Sequence, residues 1–266
     1  MVDFDNPGDP TRSILVVLLL SVSAFVAAQF VVLPAMLIDP GIADPAVDPS
    51  RVGFLALMAL NFTAFYLVGA IYLWWTERGL SYLDLRIPSL REWGITIAAV
   101  FASIGVVIGV SLLGMLLGIE GSDNEIVQLI GDDSTLVLYM IVIVFLFNAP
   151  AEEFLFRNVI QKRLYAPFSK MGAVIATSVV FALVHLPVYA FAADGGFETP
   201  SAIAISLVVV FVGSIIFGYV YARTENLVVP ILAHAGYNSF IFFMLYLAIE
   251  FGDPEDLEVA MAFLPV

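Results

Sequence analysis

Two glutamates side by side, Glu152-Glu153, and the chain's two histidines, His185 and His234, all lie within strongly apolar stretches. An acidic group at a membrane-helix centre costs about 2.5–3.5 kcal/mol on insertion scales, so such groups are functional candidates by default. A lone histidine also has a plainer reading, as a hydrogen-bonded packing residue. Ionisable groups recurring on three separate apolar stretches are harder to explain that way. The chemistry they offer is proton transfer. A carboxylate or an imidazole shielded from bulk water can accept or donate a proton near neutral pH.

Helical spacing sorts these groups. Glu153 and Arg157 are four apart and share a face, with the glutamate on the N-terminal side, the better orientation for a pair. Glu152 points about 100° away, one residue round a helix of 3.6 residues per turn. Glu153 is therefore the natural partner of Arg157, and Glu152 is left to face a cavity as a general base or acid. His234 and Asn238 are also four apart. Both can donate a hydrogen bond to a developing oxyanion, or His234 could ligate a metal. Phe181 shares a face with His185 and can wall one side of its ring. Pro150 and Pro230 precede the candidate groups by a few residues, and proline in a spanning helix often kinks it.

The elements that hold these groups read as membrane helices. Hydrophobic residues make up 61% of the chain and charged residues 13%, against roughly half and about a quarter in ordinary soluble domains. The apolar residues fall into seven blocks, 14–38, 53–75, 94–119, 136–156, 171–191, 202–221 and 227–251. Each is about the length that crosses ~30 Å of hydrocarbon as a helix. The expected fold class is all-α, a polytopic transmembrane helix bundle of about seven spans in the cell membrane. Lys and Arg collect on the cytoplasmic side of short loops. With the N-terminus inside, the inner segments hold Arg12, Arg78, Arg86, Arg91, Arg157, Lys162, Arg163, Lys170 and Arg223, and the outer ones only Arg51. This predicts the N-terminus in and the C-terminus out. The first block is longer than a signal-peptide core and has an acidic flank (Asp3, Asp5, Asp9), so it reads as an anchor.

Three regions follow. Residues 1–135 hold three spans without a motif, 136–251 hold four spans with every candidate group, and 252–266 form an acidic tail. The chain has no cysteine, which excludes disulfides, thiolate ligands and lipid-modified cysteine. Its net charge is −14, mostly on the outer side, with no basic stripe for phosphates. The lipid bilayer is the expected partner and nucleic acid is not.

Depth gives a further expectation. Pro167 should end the fourth helix, placing the turn near Ser169. Glu152 lies 17 residues before that turn and His185 lies 16 after it, so an antiparallel hairpin sets them level. Asn158, Gln161, Lys162 and Arg163 on its arms predict that the hairpin protrudes into the cytosol by about two turns or more. His234 lies eight residues after Asn226, so all three groups should meet in the cytoplasmic half of the membrane.

Taken together, Glu152-Glu153-Phe154-Leu155-Phe156-Arg157, Phe181-Ala182-Leu183-Val184-His185 and His234-Ala235-Gly236-Tyr237-Asn238 read as EExxxR, FxxxH and HxxxN. In order and approximate spacing they resemble the motifs of the CPBP family, which comprises CAAX prenyl proteases of the Rce1 type and the Abi bacteriocin-processing or self-immunity proteins. FxxxH alone is common in apolar sequence, but the three in order on separate spans are specific. The resemblance covers about residues 136–251. It implies an intramembrane endopeptidase acting on a membrane-associated peptide or protein, lipidated substrates included. It makes Glu152 the general base, His185 its assistant, His234 and Asn238 the oxyanion site, and Glu153 and Arg157 structural support. The family is often labelled a metalloprotease, and Glu152, His185 and His234 would be the alternative ligands of one zinc-like ion. The HExxH spacing of ordinary zinc proteases is absent, and a reaction without an obligatory metal is the favoured expectation. Two other classes remain: a proton-coupled transporter, and a non-catalytic immunity or binding protein on the same fold.

Overall fold

Short polar caps and prolines set where each apolar block becomes a helix in the computed structural model, which describes residues 7–43, 47, 49–119, 121–122, 130–131, 133–190 and 196–253. Asp9 accepts from the Arg12 backbone ahead of α1 (Pro10–Val31), and Pro34 separates α1 from the short α2 (Ala35–Ile38). Ser50 caps α3 (Arg51–Trp75). Ser89 and Glu92 form a reciprocal capping box at α4 (Leu90–Leu117). Asp133 opens α5 (Ser134–Leu164), and Ser169 opens α6 (Lys170–Val184). α7 (Leu186–Tyr189) follows directly, then α8 (Pro200–Thr224), capped by Thr199, and α9 (Val228–Phe251). Each cap satisfies backbone N–H groups that the first helical turn leaves without partners.

The protein is a multi-pass membrane protein. Among the described residues six helical segments are long and apolar enough to cross a bilayer: Pro10–Ile38, α3, α4, α5, α8 and α9. The seventh apolar segment is α6 with α7, and here the structure differs from the continuous span expected over 171–191. α6 is 15 residues long and stops at Val184, with His185 as its C-cap. Pro187 explains the break, since proline has no N–H to donate and its ring clashes with the carbonyl four residues back. Phe191 lies outside the described residues, as does the tail from residue 254.

The two ends of the bundle are tied differently. At one, Arg51 Nε donates to Asp133 Oδ2 at 2.8 Å and Ser134 Oγ to Glu250 Oε2 at 2.7 Å, joining the starts of α3 and α5 to the finish of α9. At the other, Asp84 accepts from Lys162 Nζ at 2.6 Å and from the Tyr221 hydroxyl at 2.7 Å. Arg86 there reaches Glu92 and the Thr224 carbonyl. Burial pushes the Tyr82 hydroxyl up to about 12, so the Lys162 ammonium, 4.0 Å from its centroid, lies over a neutral ring.

Most of the polar residues on the hairpin's arms are covered by protein. Asn158 and Gln161 are wholly buried and Arg163 nearly so. The α3–α4 connection folds over them. Asn158 Nδ2 donates to the Tyr82 carbonyl at 2.9 Å, and Arg163 Nη1 donates to the Tyr72 hydroxyl at 2.9 Å. Gln161 Nε2 donates to the Gly218 carbonyl at 2.9 Å. A Cβ at Gly218 would stand 2.7 Å from Gln161 Oε1, so a larger residue there would push the Gln161 amide aside. The donors of these arms are met largely by protein groups.

Lys162, Arg163, Lys170 and Arg86 lie at one end and Arg51 at the other, which leads to a labelling result. In this cysteine-free chain, a single cysteine placed at Ser169 should react from the cytoplasmic side, and one placed at Ala260 from the outside. Reaction of both from one side would overturn the seven-span topology with the N-terminus in.

α5 is the central element. It packs against α3, α6 and α9 and touches α8. Residues 151–161 are buried on every side. The helix widens to π geometry at Val144–Asn148 and again at Phe154–Gln161, leaving Ala149–Glu153 as an α-helical island between them. Pro150 cannot donate to the carbonyl four residues back, and the first widening sits directly before that gap. The glutamate pair is thus carried on a locally re-registered turn in the middle of the bundle.

Candidate active site

Glu153 and Arg157 meet as their spacing requires, Arg157 Nε donating to Glu153 Oε2 at 2.9 Å with both side chains fully buried. A buried ion pair needs further hydrogen bonds to be tolerated. Arg157 Nη1 finds Ser214 Oγ on α8 at 3.1 Å, and the guanidinium lies 5.2 Å from the Phe181 ring centroid. Glu153 has a second partner. Its Oε1 stands 3.0 Å from His234 Nδ1 on α9. A carboxylate oxygen in such a contact accepts, so Nδ1 carries the hydrogen, and Glu153 fixes the tautomer and ring angle of His234. Phe217 stacks on the same imidazole, 4.9 Å between centroids and 16° from parallel.

Glu152 is placed separately. Its Oε1 accepts from Asn148 Nδ2 at 2.9 Å, and its Oε2 lies 3.9 Å from His234 Nε2. Asn238 closes the circuit. Its Nδ2 reaches Asn148 Oδ1 and His234 Nε2, each at 3.2 Å. The hydrogen bonds therefore run from Glu152 through Asn148, Asn238 and His234 to Glu153, returning along the backbone to Glu152. With Nε2 accepting from Asn238, His234 becomes a donor on that side only after it takes up a proton.

His185 joins this group through a shared cavity rather than by direct contact. A cavity of about 550 Å³ is lined by Glu152, His185, His234 and Asn238, with Asn148 and Tyr189 among their neighbours. His185 Nδ1 lies 2.7 Å from the Phe181 carbonyl oxygen, and the Phe181 ring packs 4.6 Å from the imidazole centroid. A carbonyl only accepts, so Nδ1 again carries the hydrogen and Nε2 is left as a lone-pair acceptor. These two contacts with Phe181 hold the angle of the ring. Among the described residues no ion-pair contact joins His185 to Glu152, and no three His, Asp or Glu side chains converge as a metal-ligand set.

Spacing could have found Asn148, which precedes Glu152 by four. Ser214 and Phe217 carried no signal, because α8 reads as uniformly apolar.

Residues 134–240 match the family described as Type II CAAX prenyl endopeptidase Rce1-like. That stretch is Rce1-like. It runs from the start of α5 into α9 and contains Glu152, Glu153, Arg157, Phe181, His185, His234 and Asn238. A protein of Bacillus subtilis (strain 168), YdiL, provisionally named a membrane peptidase, is 28% identical over 124 residues. That alignment takes in 47% of this chain and 44% of YdiL, so the match spans less than half of the relative's length. No solved structure matches the chain. α1 to α4 lie outside the Rce1-like stretch.

Proposed function

We propose that the chain is an intramembrane endopeptidase of the CAAX-prenyl-protease type that hydrolyses a peptide bond of a membrane-associated substrate. The observation that carries this reading is the chain of hydrogen bonds that holds Glu152, His234 and Asn238 on one cavity among membrane helices, with His185 on its wall. The Rce1-like match over the same residues supports it.

Each group has a role in that reaction. Glu152 takes a proton from a water in the cavity, and His185 Nε2 accepts a hydrogen bond from the same water. The hydroxide adds to the peptide carbonyl carbon. The developing oxyanion is met by Asn238 Nδ2–H. His234 enters this step with a proton on Nε2 taken from solvent and keeps it throughout, so that nitrogen is a second donor rather than an acceptor of Asn238 and the amide hydrogen is freed as well. Glu152 then passes its proton to the leaving nitrogen, and the C–N bond breaks to give a carboxylic acid and an amine. Glu153, Arg157 and Phe181 do not touch the reacting atoms. They hold His234 and His185 in position.

The reaction is proposed to run without an obligatory metal. Asn238 occupies His234 Nε2, and Glu153 occupies Nδ1. An ordinary zinc ligand would instead turn one imidazole nitrogen, free of other donors, toward the ion.

The test is comparative proteomics of membranes carrying the intact chain or its Glu152→Ala variant. At least one new peptide terminus, from a membrane-associated protein, is expected only with the intact chain. Identical terminus profiles at matched expression would remove the endopeptidase assignment.

A further inference from the structure

The connection between α3 and α4, residues 76–89, has its polarity inverted for a loop in water. Its polar groups turn toward the protein. The Tyr82 carbonyl accepts from Asn158 Nδ2 at 2.9 Å and from Lys162 Nζ at 2.8 Å. The Asp84 carboxylate accepts from Lys162 and Tyr221, and its carbonyl accepts from the Leu227 backbone at 3.0 Å. Its large apolar side chains turn outward instead. Leu80 is 86% exposed and Ile87 is 91% exposed, as is Leu90 at the start of α4. Single exposed leucines are ordinary, but apolar side chains gathered on one segment mark a surface that something apolar covers.

The tryptophans fix the depth of that surface. The chain has three. Trp74 and Trp75 end α3, and Trp93 lies in the first turns of α4. All three are exposed. Tryptophan collects where hydrocarbon gives way to headgroups, its ring in the apolar layer and its N–H in the polar one. α3 and α4 are both long and apolar enough to span, so these rings mark where the two helices leave the hydrocarbon. The connection between them then lies among the headgroups.

Charge selects the headgroup. Arg78, Arg91 and Arg223 are exposed, and among the described residues none of them has a carboxylate partner. Arg78 lies 5.0 Å from the Tyr82 ring centroid, on the connection itself. Arg91 adjoins Glu92, which holds Arg86, and Arg86 also reaches the carbonyl of Thr224, next to Arg223. The one exposed carboxylate among residues 76–89 is Glu77, so a positive excess remains. A guanidinium pairs with phosphate through two parallel N–H groups. An anionic phospholipid presents that phosphate beside its own acyl chains, which meets both halves of the surface at one depth.

We infer that the α3–α4 connection is a binding surface for anionic phospholipid, in which Leu80, Ile87, Leu90 and the tryptophans enter the acyl-chain boundary while Arg78, Arg91 and Arg223 take the phosphates. The surface lies outside the Rce1-like stretch except for Arg223, and it does not depend on the reaction proposed above.

The test uses the full chain in vesicles of mixed phosphatidylcholine and phosphatidylglycerol and reads its intrinsic fluorescence, which comes from these three tryptophans. In one set the phosphatidylcholine carries brominated acyl chains, and in the other the phosphatidylglycerol does. Both should quench the emission, and aqueous acrylamide should quench it weakly. Brominated phosphatidylglycerol should be the stronger quencher at equal mole fraction. An arginine beside an anionic surface is worth about five-fold in lipid affinity. Arg78→Gln combined with Arg91→Gln should therefore reduce the preference by about five-fold or abolish it, with the quenching by brominated phosphatidylcholine retained. High salt on the unmodified chain should reduce the preference in the same direction, which keeps the test independent of how the variant folds.

Strong quenching by acrylamide with little by either lipid would place the connection in water and overturn the inference. Equal quenching by the two lipids, unchanged by salt or by the arginine variant, would overturn it as well, leaving an apolar surface without headgroup preference. Shielding from acrylamide in native membranes that is lost in the vesicles would show a protein partner as the occupant and would also overturn it.

Discussion

Glu152→Gln is expected to abolish peptide cleavage and leave the protein as stable as before, whereas Glu153→Gln should cost stability first. The two glutamates are adjacent, yet their surroundings differ. Glu152 accepts one hydrogen bond, from Asn148, and faces the cavity. A glutamine there keeps that contact and loses only the proton acceptor that the proposed reaction needs. Glu153 stands between Arg157 and His234 with no exposed surface. Its loss leaves a guanidinium buried without a counter-charge, and breaking such a pair from one side typically costs about 3–5 kcal/mol. Thermal unfolding in detergent should show a clear drop for Glu153→Gln and almost none for Glu152→Gln.

A double variant sharpens the comparison. Glu153→Gln with Arg157→Met removes the orphaned charge, and apolar replacement of a whole buried pair is often neutral. It should recover much of the lost stability. Activity should stay low, because a neutral amide holds His234 less firmly than a carboxylate does. If Glu153→Gln were as stable as the parent and inactive while Glu152→Gln unfolded, the two roles would be exchanged.

The parts of this site that could be read from sequence are those that helical periodicity fixes. Glu153 with Arg157, Phe181 with His185 and His234 with Asn238 are each four apart, and each makes its contact in the folded chain. Spacing of four on a helix is already a statement about space. Contacts between helices carry no such mark. Nothing local in Asn148, Ser214 or Phe217 shows that they meet Asn238, Arg157 and His234. The second role of Glu153, as the partner of His234, was hidden for the same reason.

Two features misled for identifiable physical reasons. Four polar residues near a turn look solvated, and only the fold reveals that Tyr72, Tyr82, Asp84 and the Gly218 carbonyl serve them instead. The block 171–191 reads as one span because hydrophobicity does not register a break. Pro187 and the C-cap at His185 end α6 early. In α1 and α3 lipid and protein are both apolar neighbours, so no face stands out.

Asn238→Ala is expected to slow cleavage by about 10²–10³-fold, the usual effect of removing one oxyanion donor, without abolishing it. The amide is well placed for this. Its Nδ2 lies 3.2 Å from His234 Nε2 and 3.2 Å from Asn148 Oδ1, so it is held in orientation by two acceptors before substrate arrives. The competing account gives charge stabilisation to a divalent ion held by Glu152, His185 and His234. That account predicts about one metal per active chain by elemental analysis, and chelator inactivation reversed by returning the ion. Observing both would refute the metal-free mechanism and leave the protease assignment in place. Asn238→Asp separates the accounts from the other side. A carboxylate is a competent metal ligand but, when ionised, has no hydrogen to donate. If the amide acts on the oxyanion directly, Asp should be at least as damaging as Ala, because it adds a negative charge where negative charge develops. If an ion does that work, Asp should be tolerated better than Ala, since it can bind the ion and cannot repel an oxyanion the ion has already neutralised.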